Sequence, residues 1–114
     1  WGSGNPMREF LHVDDLAEAI LYSFKNQLND HIYNVGSGDE ISITDLAKLI
    51  KRIIGFNGNI EWDINKPDGT PRKLLDNSNL EKLGWKSKID LNSGILKTYD
   101  WFLNNIDSIK QIKF

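Results

Sequence analysis

Apolar residues recur at intervals of three and four positions in three segments of the chain, and this spacing predicts three main helices. The segments are residues 14–26, 43–54 and 91–105. A carboxylate of Asp14 or Asp15 is expected to cap the first helix. Ser42 and Asp45 stand three positions apart before the second helix, as in a capping box, and Gly55 is its expected end.

Short runs of β-forming residues separate the helices and predict strands at residues 8–13, 31–35 and 59–63. Two prolines and one glycine within residues 66–73 predict a shaped loop instead of regular structure. A short helix is expected over residues 77–83, with Gly84 as its C-cap, and residues 106–114 are expected to fray. Three tryptophans are expected in the core: Trp62, Trp85 and Trp101. This order of elements predicts a small mixed α/β lobe.

Composition and charge exclude several classes of function. The chain has 114 residues, with 14 Lys and Arg against 16 Asp and Glu, for a formal net charge of −2. This length fits one globular domain or part of a larger one, and 39% apolar residues can form a core. The near-neutral balance argues against a nucleic-acid partner, because such proteins usually carry a strongly basic surface.

The chain contains no cysteine, which excludes disulfide bonds, thiolate metal sites and a cysteine nucleophile. The absence of cysteine and of a glycosylation sequon fits a cytoplasmic protein. No apolar stretch approaches the ~20 residues that cross a bilayer, and no signal-peptide pattern is present, so no membrane partner is expected. The chain starts at Trp1 and runs directly into a Gly-Ser-Gly turn, which predicts a piece of a longer protein.

Two of the three arginines, Arg8 and Arg72, lie in segments that carry glycine or proline and not on helix faces. An arginine in a shaped loop can recognise phosphate or carboxylate through two parallel hydrogen bonds, and Lys73 beside Arg72 adds a point charge. This placement predicts an anionic small ligand. The alternative, which the residues alone leave open, is that each arginine tethers its loop to a neighbouring carboxylate.

No catalytic constellation is recognisable in the sequence. The glycine turns at residues 2–4 and 36–38 could hold phosphate, but neither extends to a dinucleotide-binding or phosphate-loop motif, so ordinary turns are favoured. Trp1 could stack on a nucleobase or sugar, although core packing is the default role of an aromatic ring. His12 has no second histidine nearby, so capping by the aspartates after it is favoured over metal binding. A Gly-x-Ser-x-Gly motif is absent, and no tyrosine is followed four residues later by lysine.

Two long motifs carry a specific resemblance to a known family. Residues 1–15, WGSGNPMREFLHVDD, and residues 66–76, KPDGTPRKLLD, closely resemble the GDP-L-fucose synthases, which are NADP-dependent epimerase/reductases of the extended short-chain dehydrogenase superfamily. The resemblance continues through YNVGSG at 33–38, LGW at 83–85 and TYDW at 98–101. It therefore covers almost the whole chain at matching spacing.

The resemblance implies that residues 1–114 are the C-terminal, GDP-sugar-binding domain of a longer protein whose N-terminal Rossmann domain is absent. In the family, that domain binds NADP(H) and carries both the Ser/Tyr/Lys catalytic group and the Cys/His pair for epimerisation. Neither a catalytic residue, a cofactor site nor a metal ligand is therefore expected in this chain. The chain alone is expected to be inactive.

Four residues match family positions that contact the GDP-sugar: Trp1, Arg8, Asp68 and Lys73. The resemblance implies that the two basic groups face the pyrophosphate and that Trp1 and Asp68 lie near the sugar or nucleoside. The family epimerises GDP-4-keto-6-deoxy-mannose at C3 and C5 and then reduces it at C4 with NADPH, which yields GDP-L-fucose. This chain would hold the substrate while the missing domain performs the chemistry.

Two alternatives to this function remain open. One is part of another extended short-chain epimerase or dehydratase that acts on a different nucleotide sugar, which the match at residues 66–73 disfavours. The other is a free-standing module that binds a nucleotide sugar or a protein.

Because the lobe would leave uncovered the apolar face that packs on the Rossmann domain, self-association is also expected.

Overall fold

The computed structural model describes residues 1–26, 28 and 32–108 of the chain. Helices and strands follow one another in these ranges in a mixed α/β arrangement, which confirms the predicted fold class. The described elements, in chain order, are β1 (Met7–Glu9), α1 (Val13–Asn26), β2 (Glu40–Ser42), α2 (Ile43–Ile54), β3 (Arg72–Lys73), α3 (Ser78–Lys82) and α4 (Leu91–Asn105).

β1 is the central strand of a small sheet in the order β2-β1-β3. It runs antiparallel to β2, with Arg8 opposite Ile41 and Glu9 opposite Glu40. On its other side it runs parallel to β3, with Arg8 opposite Lys73. The sheet therefore joins the beginning of the chain to a segment in its second half.

The strand predictions were only partly correct. Residues 32–35 and 59–63 form no strand within the described ranges, so both predictions were wrong, and His31 lies outside the described residues. The first predicted strand is shorter than expected, because β1 ends at Glu9 and the chain then turns into α1. A run of β-forming residues expresses a local preference, whereas a strand also needs a hydrogen-bonding partner.

β3 lies in the segment that its prolines predicted to be irregular. The N–H of Met7 donates to the carbonyl of Pro71 at 2.9 Å, and strand pairing continues over Arg72 and Lys73. The prediction of a loop over residues 66–73 was therefore wrong for the last two of them. Proline lacks an N–H group, but its carbonyl remains free to accept a hydrogen bond and to start the pairing.

The helix predictions agree closely with the structure. α2 and α4 have the predicted bounds, α1 begins at Val13, and α3 lies within the predicted residues 77–83. Ser42 Oγ accepts a hydrogen bond from Asp45 N at 3.0 Å and donates one to Asp45 Oδ2 at 2.7 Å, which confirms the cap of α2. Gly55 ends α2 with a φ of 70°, a left-handed conformation that favours glycine.

The N-terminus of α1 is capped by a different residue from those predicted. His12 Nδ1 accepts a hydrogen bond from the backbone N–H of Asp14 at 3.2 Å. Asp15 is buried, with 3% of its surface exposed, and its Oδ2 accepts from the backbone N–H groups of Lys88 at 3.2 Å and Ile89 at 3.0 Å. Its carboxylate thus joins α1 to the segment that leads into α4, a contact that periodicity along one helix cannot reveal.

The buried apolar core of the described residues consists of Ala19, Leu80 and Trp85. The core position predicted for Trp85 is confirmed, whereas Trp62 is only half-buried. Trp101 is 59% exposed, so its core prediction was wrong. Its side chain lies on a side of α4 that the described elements leave open to solvent.

Asp90 is the N-cap residue before α4, and its side chain accepts a hydrogen bond from the backbone N–H of Ser93 at 3.0 Å. Residues 106–108 form a turn after this helix, and the rest of the predicted frayed tail, residues 109–114, lies outside the described residues. None of the described helices has the length and apolar character needed to cross a membrane.

Candidate functional site

Two segments that are distant in sequence lie side by side: the N-terminal segment, residues 1–9, and the loop segment, residues 63–75. The backbone N–H of Gly2 donates to the carbonyl of Asp63 at 2.9 Å, and Ser3 is bound farther along the loop segment. All four predicted site residues lie on these two segments. The fold therefore brings them into one region of the molecule.

Arg8 and Lys73 are register partners on β1 and β3, so their side chains project from the same face of the sheet. Neighbouring strands lie about 4.8 Å apart, so the two cationic side chains start from adjacent backbone positions. Arg8 Nη1 donates to the carbonyl of Met7 at 2.7 Å. Among the described residues, neither cation has a carboxylate partner. Two adjacent positive charges without an intervening acid favour the binding of an anion.

Arg72 differs from Arg8 in this respect. Its Nε lies 2.6 Å from Oε2 of Glu40, so an ion pair connects β3 to β2 across the sheet. This geometry agrees with the tether interpretation for Arg72. The placement of the two arginines in the chain does not distinguish them, whereas the structure does: among the described residues Arg72 has a carboxylate within reach and Arg8 has none.

Glu9 is a structural residue of this region that the sequence interpretation did not single out. Its carboxylate accepts hydrogen bonds from the backbone N–H groups of Gly38 at 2.7 Å and Leu75 at 3.1 Å. It thereby holds the second glycine turn and the segment that follows β3 against β1. The sequence offers one signal for Glu9, an acid within a β-forming run. It does not reveal the partners Gly38 and Leu75, because both are far away in sequence.

Asp68 holds the N-terminal segment against the loop segment. Its carboxylate accepts hydrogen bonds from Ser3 N at 2.6 Å and from Ser3 Oγ at 2.8 Å. These bonds, the backbone one first, lower the pKa of Asp68 below its ordinary value of 3.8, because both favour the ionised form. Gly2 has a φ of 73°, and a Cβ at this position would collide with the Asp68 carboxylate, so the close approach requires glycine.

Trp1 lies immediately before the residues that Asp68 holds, and it does not pack into the core. It is 82% exposed, which leaves most of the indole open to a ligand. Nζ of Lys66 lies 5.4 Å from the centroid of the indole, within the range of a cation–π interaction. Lys66 was not among the predicted site residues, since only the tertiary structure places it against Trp1.

The two glycine turns do not fit a phosphate group. In the first turn the N–H of Ser3 donates to Asp68, and in the second the N–H of Gly38 donates to Glu9. A carboxylate thus takes one N–H group of each turn, and it would repel the charge of a phosphate. The interpretation as ordinary turns is favoured, and these residues do not suit the diphosphate of a dinucleotide cofactor.

The larger concavities among the described residues lie away from the four predicted site residues. An apolar groove of about 470 Å³ lies between α2 and α4, and a more polar depression of about 330 Å³ lies beside residues 39–41 and 86–91. None of the four predicted residues lines either one. Within the part of the chain that the structure describes, no three His, Asp or Glu side chains are grouped so that they could hold a metal ion.

Comparison with known proteins shows which proteins this chain is similar to. The family model described as "NAD dependent epimerase/dehydratase family" matches residues 1–36. The chain is 49% identical over 111 residues to the probable GDP-L-fucose synthase 1 of Oryza sativa subsp. japonica. That alignment covers 97% of this chain and 34% of the rice protein.

Solved structures show the same similarity. A GDP-L-fucose synthetase from Naegleria fowleri bound to NADP has a TM-score of 0.83 at 29% identity, over 96% of this chain and 35% of that one. A GDP-6-OMe-4-keto-L-xylo-heptose reductase from C. jejuni has a TM-score of 0.82 at 37% identity, over 92% of this chain and 33% of that one. The resemblance predicted from the motifs is thereby confirmed. The chain spans about a third of the length of these relatives.

Proposed function

We propose that this chain is the GDP-sugar-binding part of a GDP-L-fucose synthase. The parent enzyme would convert GDP-4-keto-6-deoxy-mannose to GDP-L-fucose by epimerisation at C3 and C5 and NADPH-dependent reduction at C4. Similarity over 97% of the chain supports this family, and the alignment spans only 34% of the rice relative, so most of that protein lies outside the matched part. Residues 1–114 bind the substrate, and the remainder of the parent protein performs the chemistry.

The pair of cations at Arg8 and Lys73 is the observation that carries the proposal. A pyrophosphate presents two negative charges side by side, and Arg8 and Lys73 extend from paired positions on one face of the sheet, so both can contact it. Glu40 does not compete for Arg8, because it is already paired with Arg72. The charge of Arg8 therefore remains available to a ligand.

The strength of these contacts can be stated in order of magnitude. A charge-assisted hydrogen bond contributes about 1.5–3 kcal/mol. Loss of either cation should then weaken the binding of a GDP-sugar by roughly ten- to a hundredfold. Because the contact joins opposite charges at the surface, added salt should weaken it as well.

Trp1 and Asp68 are proposed to contact the sugar or nucleoside of the same ligand. The open face of the Trp1 indole offers a stacking surface, since most of the residue is exposed. Each carboxylate oxygen of Asp68 accepts one hydrogen bond from Ser3 and retains a further lone pair. Asp68 can therefore hold the N-terminal segment and accept a hydroxyl group of the ligand at the same time.

NADP(H) is proposed to bind the parent protein outside this chain. When bound, it supplies the hydride for reduction at C4. In each glycine turn of this chain one N–H donates to a carboxylate, Ser3 to Asp68 and Gly38 to Glu9, so these two turns do not offer a dinucleotide-binding loop. We therefore assign no catalytic role to this chain, and the isolated chain is proposed to be inactive.

α1 carries an exposed apolar stripe, which supports the proposal of a missing partner domain. Val13, Leu16, Ile20 and Phe24 follow one another at helical spacing and are 42–80% exposed. Contiguous apolar surface usually marks an interface. The Rossmann domain of the parent enzyme is proposed to cover this stripe, and the isolated chain is proposed to self-associate through it. A cytoplasmic location is proposed because the chain lacks cysteine.

A second candidate is part of a reductase for a different GDP-sugar. The C. jejuni heptose reductase is 37% identical to this chain, more than the 29% of the Naegleria synthetase, at almost the same TM-score. Both proteins are named for a GDP-linked sugar. The two candidate functions therefore share the proposed pyrophosphate contact and differ in the sugar. The residues that select the sugar would then lie chiefly in the rest of the parent protein.

Titration calorimetry with GDP-mannose tests the proposed function. Arg8→Ala and Lys73→Ala should each weaken binding by roughly ten- to a hundredfold. Arg52→Ala is the matched control, because Arg52 is an exposed arginine of α2 outside the two segments, and its removal should leave affinity unchanged. Thermal melts of each variant separate affinity from folding. Unchanged affinity in both folded site variants would overturn the proposal.

A further inference from the structure

We propose that Lys66 is a positioning residue for Trp1, which it holds so that the open face of the indole can stack on the planar base of a nucleotide sugar. This inference rests on the proposed function, because it assumes that Trp1 contacts the ligand. It assigns a role to the first residue of the second motif, which was not among the four predicted site residues.

The ammonium group of Lys66 covers one face of the indole. Its Nζ lies 5.4 Å from the ring centroid, and a cation in this position is attracted to the π-system. Trp1 is nevertheless 82% exposed, so the ring retains a large solvent-facing surface. A planar ligand can approach Trp1 from the side that Lys66 does not cover.

The backbone fixes the ring and the cation to a common frame. The carbonyl oxygen of Asp63 accepts hydrogen bonds from both Gly2 N at 2.9 Å and Lys66 N at 3.1 Å. Gly2, which follows Trp1, and Lys66 are therefore hydrogen-bonded to the same carbonyl oxygen. Asp68 adds a second attachment, because its carboxylate binds the backbone and side chain of Ser3. We call this arrangement of Asp63, Lys66 and Asp68 the Trp1 frame.

The Trp1 frame matters for binding because an exposed side chain otherwise samples several rotamers. A ligand that stacks on a mobile indole must also restrict its motion, and that entropy cost lowers affinity. The contact with Lys66 already restricts the indole in the free protein, so less entropy is lost when the ligand binds. A direct contact between Lys66 and a phosphate group is the competing explanation, since a lysine is also a point charge that binds anions.

Fluorine NMR of protein labelled with 5-fluorotryptophan reports on the ring directly. The chain has four tryptophans, and the Trp1 signal is assigned as the one missing from Trp1→Phe. Lys66→Ala should shift and narrow the Trp1 signal and leave the other three in place. Lys66→Arg should preserve the wild-type signal, because a guanidinium also binds over an indole. Lys97→Ala, an exposed lysine of α4, is the control and should change nothing.

Calorimetry with GDP-mannose separates positioning from direct contact. Lys66→Ala should weaken binding by about two- to fivefold, the range of an exposed cation–π interaction. In a Trp1→Ala background the same change should have no further effect, because the lysine acts through the indole. An equal loss in both backgrounds would overturn the inference in favour of a phosphate contact.

An unchanged Trp1 signal in Lys66→Ala would overturn the inference whatever the binding data show. Failure of the wild-type chain to bind GDP-mannose would count against the proposed function instead. The NMR comparison needs no ligand, so it still decides in that case whether Lys66 positions Trp1.

Discussion

Arg8 and Lys73 stand opposite one another on adjacent parallel strands, although they come from two motifs that are far apart in the sequence. Like charges directly across a strand pair repel each other and weaken the sheet. The neighbouring pair, Arg72 with Glu40, shows how the same sheet balances a cation with an acid. Arg8 and Lys73 have no such acid among the described residues, so a pyrophosphate could neutralise their charges.

Arg72→Ala should affect stability and not ligand affinity. The ion pair with Glu40 is partly exposed, so its loss should lower the free energy of unfolding by up to about 1 kcal/mol. Urea unfolding measures this change, and calorimetry with GDP-mannose should give wild-type affinity for the folded variant. Arg8→Ala is expected to show the reverse pattern. A large loss of affinity in Arg72→Ala without loss of stability would contradict the tether role.

Asp68 should make the stability of the chain depend on acid pH. Its pKa is lowered in the folded state, chiefly by the backbone hydrogen bond from Ser3. A group with a lowered folded pKa stabilises the fold above its unfolded pKa, ordinarily 3.8, and this contribution disappears as the pH falls through the lower folded value. Asp68→Asn should therefore melt below wild type at neutral pH.

The difference in melting temperature between wild type and Asp68→Asn should shrink as the pH falls below 3.8. Hydrogen bonds from serines also lower the pKa values of Asp76 and Asp90, so the acid sensitivity of the wild type alone is shared among several groups. Comparison with the variant isolates Asp68. A difference that stays constant between neutral and strongly acid pH would count against the role of its carboxylate.

Asp15→Ala should be strongly destabilising. The buried carboxylate satisfies the backbone N–H groups of Lys88 and Ile89, and its removal leaves both donors without this acceptor. We expect a loss of about 1–3 kcal/mol in the free energy of unfolding, measured by chemical denaturation. The neighbouring Asp14→Ala is the control, because its side chain is exposed and should change stability by less than about 0.5 kcal/mol. Equal effects of the two changes would contradict this account.

Phe24→Glu should reduce self-association of the isolated chain. Phe24 is 80% exposed on the apolar stripe of α1, where a charge would oppose burial against a second copy. Sedimentation velocity over a range of concentrations should show association of the wild type and less of it in the variant. Phe56→Glu, at an exposed position after α2, should associate like the wild type. A wild-type chain that stays monomeric at the highest concentration would refute the prediction.

The isolated chain should not oxidise NADPH in the presence of GDP-4-keto-6-deoxy-mannose. The sequence lacks a tyrosine followed four residues later by lysine, and the glycine turns donate to carboxylates. The loss of NADPH absorbance measures the reaction, with a full-length relative as the positive control. Turnover above the blank by highly purified chain would contradict the assignment of catalysis to the rest of the parent protein.

The sequence by itself determined the helices and most of their ends. The bounds of α2 and α4 follow from apolar spacing together with local caps such as Ser42 and Gly55, whose hydrogen bonds join residues only a few positions apart. The four proposed site residues were predicted from the family resemblance that short motifs carry. A local signal of this kind is sufficient wherever both partners of an interaction lie within one turn of the chain.

Only the tertiary structure decided which strands form and how the site residues are grouped. Arg8 lies beside Lys73, Ser3 binds Asp68, and Asp15 reaches the segment before α4. Each of these contacts joins residues that are far apart in sequence, and nothing in the local pattern specifies the partner. A strand needs a second strand to pair with, and a carboxylate needs hydrogen-bond donors. The tertiary fold decides which distant segment supplies them.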